Sequence, residues 1–396
     1  MIKGLRVFVV GGNGAIATTV YAGIAAALNG IYSPTGLLTE LEDFKHIPFL
    51  KLDSLQFSGW DLKPGNPFDW AKNHGIISES TIDSVQPYLS NIVIKSAPDY
   101  RLSPTTKDLI GLTNSQHCET ALDVIQKIQS DIAAFRNEEL GLREIMVFLN
   151  STEPPVDINS PALQSASQFT DSIKNDDPVL TQNMLYAYAA VSEGCGIINF
   201  TPNTVYEFPA LIELASKANV PICGRDGKTG QTLYKTVLSS MFRWRDLRVS
   251  GWFSTNILGG GDGNSLGDPA NLESKVISKT SVLGTALGYD VPNHLVTIHN
   301  YPLRGDCKES WDVIDFTGWL GAKMSMRINW QGQDSPLAAP LIVDLLRLVH
   351  LLWENDRVAD TFHLAAYFKT PFKSHLNNFS EQIEDLKAML SEKKWK

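Results

Sequence analysis

Residues 5–17 read LRVFVVGGNGAIA, and this stretch decides the fold. Leu5–Val10 is an unbroken apolar run rich in β-branched residues, the pattern of a strand buried on both faces. It runs straight into Gly12-x-Gly14-x-x-Ala17 and then into an Ala-rich segment that stops at Asn29-Gly30. In such a turn the first glycine permits the tight bend, and the second lets the backbone approach a pyrophosphate. The third small residue lets helix and strand pack closely, and the helix N-terminus faces the phosphates. The same glycines would also serve a plain turn. The position between a predicted strand and a predicted helix favours dinucleotide binding, through Gly12, Asn13, Gly14, Ala15 and Ile16.

A second short strand is expected at 35–40, TGLLTE. Its last residue, Glu40, stands at roughly the separation expected of a ribose-binding acid, and an acid there favours NAD over NADP. Strand, glycine turn, helix, strand begins a parallel α/β sheet. Further on, a helix is expected over 116–137, a strand over 144–150, a helix near 181–194 and a strand over 196–200. Beyond about residue 226 the pattern changes. Strand candidates at 248–254, 294–302 and 322–330 follow closely, with a helical stretch near 271–287, as in a mostly antiparallel α+β unit. From Pro336 a strongly apolar helix, PLAAPLIVDLLRLVHLLW, is expected to return the chain to the first unit.

Bulk composition narrows the function. A chain of 396 residues suggests two domains, and 43% hydrophobic with 19% charged residues is ordinary globular composition. A net charge of −9 argues against a nucleic-acid partner. The four scattered cysteines form no metal or disulfide framework, which fits a reducing cytoplasm. The apolar run at the N-terminus is too short for a signal peptide or a membrane span. The eight histidines form no zinc pattern, and no nucleophile elbow is present.

Three later segments carry polar chemistry. Residues 224–232, GRDGKTGQT, contain the Gly-Lys-Thr ending of a nucleotide-phosphate loop. The glycine that such a loop needs five residues before Gly227 is instead Ile222, so nucleotide hydrolysis fails on spacing. The plain alternative is a glycine-rich connection between domains. Residues 258–269, LGGGDGNSLGDP, carry five glycines around Asp262, a composition suited to an anion or a cation and equally to a surface loop. Lys275 and Lys279 share one face if helical, and Lys308, Asp334 and Lys369 complete a possible cluster. Cations held together lower one another's pKa, so one lysine of a cluster can act as a base while others bind phosphate.

Taken in order, NFTPN, GRDGKTGQTLYKTVL, STNILGGGDGNSL, ESKVISK, DSPLAAPLIVDLL and YFKTPF resemble the myo-inositol-1-phosphate synthase family, in its compact archaeal and bacterial form. FSGWDL and LNSTEPP match weaker motifs on the cofactor side. The resemblance implies a Rossmann-type doubly wound parallel sheet with an inserted α+β, glyceraldehyde-3-phosphate-dehydrogenase-like, catalytic domain. Its divisions would be 1–226 for NAD binding, 227–334 for catalysis and tetramerisation, and 335–396 returning to the NAD-binding domain. It implies conversion of D-glucose 6-phosphate to 1D-myo-inositol 3-phosphate with tightly held NAD, in a cytoplasmic homotetramer.

Carried over by motif, Lys275 would assist proton transfer at the C5 hydroxyl. Lys279 and Lys308 would bind phosphate with the backbone of Gly259 and Gly260, and Lys369 would polarise the aldehyde. Asp226, Asp262 and Asp334 would orient the lysines or a cation near the nicotinamide. Asn256, Asn150, Ser151 and Thr152 would lie along the cofactor, where Asp226 and Asp334 also stand, and Asp61 would compete with Glu40 for the ribose. Arg225 occupies a position where many members carry a second acid. A divalent or monovalent cation therefore stays open, as does the group that takes the C6 proton. The rival readings are an NAD(P)-dependent dehydrogenase of a small polar or phosphorylated substrate, and a non-catalytic sensor on the same fold.

Overall fold

The computed structural model describes residues 4–102, 116–136, 141–150, 156–259, 283–391 and 395. Six strands form the first sheet: β1 (Leu5–Val10), β2 (Leu55–Asp61), β3 (Val93–Ser96), β4 (Arg143–Phe148), β5 (Gly196–Asn199) and β6 (Ile222–Gly224). All pairs are parallel, in the order β3-β2-β1-β4-β5-β6. This is the doubly wound order whose reversal beside β1 opens a crevice at the carboxyl ends of the strands. Every residue of β1 is buried, as its apolar run requires. The one charge in it, Arg6, sits opposite Glu144 of β4 and pairs with it at 2.7 Å.

The expected strand at 35–40 is not a strand. Leu38–Glu40 forms a 3-10 turn, and the strand beside β1 is Leu55–Asp61. The side chain of Asp344 takes the backbone N–H groups that a ladder would have used, from Leu38 at 2.7 Å and Thr39 at 3.0 Å. The expected helix over 116–137 begins later, at Ala121, and runs to Arg136.

The second sheet comprises β7 (Arg248–Leu258), β8 (Asn293–Asn300), β9 (Cys307–Thr317) and β10 (Lys323–Gln333), in the order β8-β7-β9-β10. The β7–β9 and β9–β10 pairs are antiparallel and β7–β8 is parallel. Strand β9 lacks a clean apolar alternation, because its inner face carries Ser310 and Asp312 before Ile314 and Phe316. A helix, Gly230–Trp244, covers this face and shares a small core of Phe242, Val249, Trp252, Ile314 and Phe316. Most of the helical stretch expected near 271–287 lies outside the described residues.

The apolar helix spans Asp334–Glu354 and packs on the helix Ala15–Leu28 of the first unit. It is the one described helix long and apolar enough to cross a membrane, but 78% of its apolar window is buried within the protein. Its composition therefore follows from packing on several sides.

Candidate active site at the junction of the two sheets

At the end of β1, Gly11 has φ 94° and donates with Gly12 to Trp60 O of β2 at 2.8 and 3.0 Å. Gly14 caps the helix Ala15–Leu28, with no side-chain cap and no acidic residue in the first turn. The first N–H groups of that helix are therefore left for an anion. A Cβ on Gly12 would lie 2.5 Å from Ile94 Cδ1, and one on Gly14 would lie 3.1 Å from the backbone oxygen of Gly11, a tight approach.

Asn13 is fully buried, and its Nδ2 donates to Lys63 O at 3.0 Å and Gly65 O at 3.2 Å. Its Oδ1 is buried with no donor among the described residues. Asp61, at the end of β2, accepts from Asn13 N and Lys63 N, each at 2.8 Å. Burial raises its pKa, opposed by those two N–H groups. Asp61 therefore stands where a ribose-binding acid stands in such folds. Glu40 does not end this strand; it pairs with Arg347 at 2.6 Å, and the expectation that assigned it the ribose is corrected. Asn150 follows β4 beside Gly11, whose Cβ would meet Asn150 N at 3.2 Å. The glycine turn, the bare helix end and Asp61 together fit a dinucleotide.

The segment 224–228 runs beside residues 367–372. Arg225 N donates to Thr370 O at 2.9 Å, and Lys228 N to Tyr367 O at 2.8 Å. Lys369 N donates to Asp226 O at 2.7 Å, and Lys369 Nζ reaches Asp226 Oδ1 at 2.8 Å. Gly227 is required here, because a Cβ would fall 2.0 Å from the Phe200 ring. Two residues further, Thr229 Oγ1 donates to Asp334 Oδ1 at 3.2 Å, and Asp334 Oδ2 holds Lys308 Nζ at 2.6 Å. Two ion pairs, Lys369–Asp226 and Lys308–Asp334, thus flank one five-residue connection. The lysine side chains retain 22% and 23% exposure, enough to meet a ligand.

Lys228 is not part of this open surface. It is 3% exposed and donates to Ala365 O at 3.4 Å and to Gln382 Oε1, so it ties the C-terminal segment to the junction. Burial lowers its pKa to about 7. Arg225 turns the other way and pairs with Glu207 at 3.0 Å. Burial raises the Glu207 carboxyl to about 7 against the opposing pull of Arg225.

Asn256 lies on β7 opposite Ser310, one inward-facing position along β9 from Lys308, and donates to Gln231 Oε1 at 3.0 Å. Gly259 is buried, and a Cβ there would lie 2.6 Å from Gly305 N, so glycine permits two backbones to touch. Ser151, Thr152, Gly260, Asp262, Lys275 and Lys279 lie outside the described residues. Among the described residues no group of three His, Cys, Asp or Glu is placed to hold a metal ion. Thr229, Gln231 and Asp312 were not singled out from sequence. The first two sit in the very motif that resembles a nucleotide loop, which was the available signal.

A family model described as Myo-inositol-1-phosphate synthase, an NAD-binding family, matches residues 5–391. The chain is 34% identical to an inositol-3-phosphate synthase 1 of Bacteroides thetaiotaomicron, over 96% of this chain and 91% of that protein. It is 27% identical to the inositol-3-phosphate synthase of Trypanosoma brucei brucei, over 85% of this chain and 63% of that longer protein. In fold it is similar to the crystal structure of inositol-3-phosphate synthase from Caenorhabditis elegans, with a TM-score of 0.88 at 23% identity, covering 98% of this chain and 85% of that one. A myo-inositol-1-phosphate synthase-related protein from Thermotoga maritima superimposes with a TM-score of 0.80 at 21% identity, covering 99% and 100%.

Proposed function

The chain belongs to the myo-inositol-1-phosphate synthase family, and from that premise we propose that it converts D-glucose 6-phosphate to 1D-myo-inositol 3-phosphate using NAD. The observation that carries this reading to particular residues is the paired arrangement of Lys369–Asp226 and Lys308–Asp334 around residues 225–229. An ordinary dehydrogenase needs one acid or base beside its hydride donor, whereas a cyclisation develops charge at several oxygens of one substrate.

Gly12, Asn13, Gly14, Ala15 and Ile16 would hold the pyrophosphate with Asp61 on the ribose, and Asn150 would lie along the same crevice. Bound there, NAD supplies a hydride acceptor for C5 of the open-chain sugar and the same hydride for its later reduction. While C5 is a ketone the C6 proton is acidic, and its loss gives an enolate whose carbon closes on the C1 aldehyde. Lys369 donates to the aldehyde oxygen as it becomes an alkoxide, and Asp226 keeps the ammonium aimed there. Lys308 holds phosphate and developing oxyanion charge, steadied by Asp334. Donors fixed in this way contribute on the order of 3–4 kcal/mol each to lowering the barrier.

Lys275, Lys279 and Asp262 are proposed to complete the site, with Lys279 on the phosphate beside the Gly259 and Gly260 backbone and Lys275 at the C5 hydroxyl. Ser151 and Thr152 are proposed on the cofactor side. A homotetramer, a cytoplasmic setting and a supporting cation belong to the same proposal.

The test is incubation of the protein with glucose 6-phosphate and substoichiometric NAD, followed by assay for inositol phosphate. Many turnovers without net NADH support the synthase. NADH accumulating in proportion to sugar consumed would establish the dehydrogenase instead.

A further inference from the structure

We propose that Asp312 is a positioning residue of this reaction, setting the direction of the Gln231 amide and through it that of Asn256 at the site. The proposal rests on the synthase reading given above. Asp312 is 1% exposed, on the inner face of β9. Trp252 Nε1 donates to its Oδ1 at 2.7 Å and Ser254 Oγ at 2.6 Å, while Tyr234 OH donates to Oδ2. Gln231 Nε2 lies 3.2 Å from both oxygens.

The orientation follows from donor and acceptor chemistry. An ionised carboxylate only accepts, so the Gln231 group facing it must be the NH2. Gln231 Oε1 then points away from Asp312 and accepts from Asn256 Nδ2 at 3.0 Å. That contact directs the Asn256 amide in turn, leaving its oxygen turned from Gln231. A chain of three side chains thus runs from a buried anion to the strand position opposite Ser310, next to Lys308.

A packing explanation is weaker. Toward its far end the covered face is apolar, with Val249, Ile314 and Phe316 packed on Phe242 of the helix, whereas Ser254, Asn256 and Ser310 lie around Asp312. Apolar residues in place of a buried charge are commonly neutral or stabilising. Four donors spent on one carboxylate at the boundary between core and site are better explained by the orientation they impose.

Titratable neighbours surround the group. Lys235, on the same helix as Gln231, places Nζ 3.2 Å from His294 Nε2 of β8. Burial lowers the Lys235 pKa to about 8, and burial followed by Lys235 lowers His294 to about 4. Tyr234 has its pKa raised by burial and then by Asp312.

The decisive variant is Gln231→Glu. As a neutral acid the new side chain donates to Asp312 and accepts from Asn256, as the amide does. As an anion it faces the Asp312 carboxylate and loses the donor, and like charges raise its pKa. Relative to wild type at the same pH, its kcat/KM for glucose 6-phosphate should be highest at low pH and fall as pH rises through the raised pKa of the new acid, by up to about tenfold per pH unit above it, over a profile from about pH 5 to about pH 9.

Gln231→Met, which keeps Lys235, His294 and Tyr234 but neither hydrogen bond, should be impaired with no such slope. The double variant Asp312→Asn/Gln231→Glu, which exchanges anion and amide, should lose the slope. A flat ratio for Gln231→Glu, an equal slope in the double variant, or loss of folding of Gln231→Glu even at about pH 6, would each overturn the proposal. Wild type is assayed alongside. Absence of inositol phosphate there would instead sink the synthase reading, and melting temperature across pH would still report the 231–312 pair.

Discussion

Lys369 and Asp226 are joined twice, by Nζ to Oδ1 at 2.8 Å and by backbone N–H to carbonyl at 2.7 Å. The first bond aims the ammonium, and the second fixes the spacing of the two chain segments that carry it. Lys369→Ala should therefore remove the charge without opening the junction. The expected result is unchanged NAD affinity, with inositol phosphate formation lowered on the order of a hundred- to thousandfold. Turnover at the wild-type rate would remove Lys369 from the mechanism.

Asp334 accepts from Thr229 Oγ1 and holds Lys308 at 2.6 Å. Asp334→Asn keeps the shape and discards the charge that steadies the lysine. KM for glucose 6-phosphate should rise and kcat should fall together, and Lys308→Met, which removes the cation itself, should show the larger change in both. Steady-state kinetics at fixed NAD separates the two. An unaltered KM in Lys308→Met would exclude Lys308 from the phosphate.

Asp61 and Glu40 make opposite predictions about the cofactor. Asp61→Ala releases Asn13 N and should weaken NAD binding by about tenfold or more, the order of a lost hydrogen bond to a charged group. Glu40→Ala should leave NAD affinity alone. Its cost should stay under about 1 kcal/mol, since Glu40 is partly solvated and Arg347 still donates to Leu50 O and Thr39 Oγ1. Titration of both variants with NAD, monitored calorimetrically, decides between them.

Gly227 admits no side chain against Phe200. Gly227→Ala should cost about 1–3 kcal/mol in urea unfolding by overpacking. Because the residue separates Asp226 from Lys228, activity should fall as well. Full stability in this variant would mean that the junction is looser than its geometry.

Lys228 has its pKa lowered from 10.5 to about 7 by burial. Between these values the unfolded chain binds the proton and the native protein does not, so stability rises with pH across that window. The cost of burying the charge is fully present below about pH 7. In Lys228→Met this contribution disappears. The melting temperature of wild type minus that of the variant should therefore increase from about pH 7 to about pH 9, and a constant difference would contradict it.

The first βα unit was legible because a doubly buried strand followed by glycines has few other uses. The acid beside it was misread at Glu40, since a count along the chain does not see that Asp344 captures the Leu38 and Thr39 N–H groups. Strand β9 was not separately identified for a related reason. Asp312 and Ser310 break the period of two that marks a half-buried strand, and their burial is repaid by Trp252, Ser254, Tyr234 and Gln231 from other segments.

By itself the sequence determined the dinucleotide turn, the failure of GRDGKTGQT as a nucleotide loop, and the family, because these depend on residue type and spacing over short stretches. Tertiary structure decided that Lys369 meets Asp226 and Lys308 meets Asp334, that Lys228 is buried away from them, and that Asp61 rather than Glu40 ends the strand beside β1. Those partners lie 143 and 26 positions apart along the chain in the two ion pairs, taking 369 less 226 and 334 less 308. Periodicity carries no information over such separations, and only the packing of two sheets on a shared connection brings the charges together.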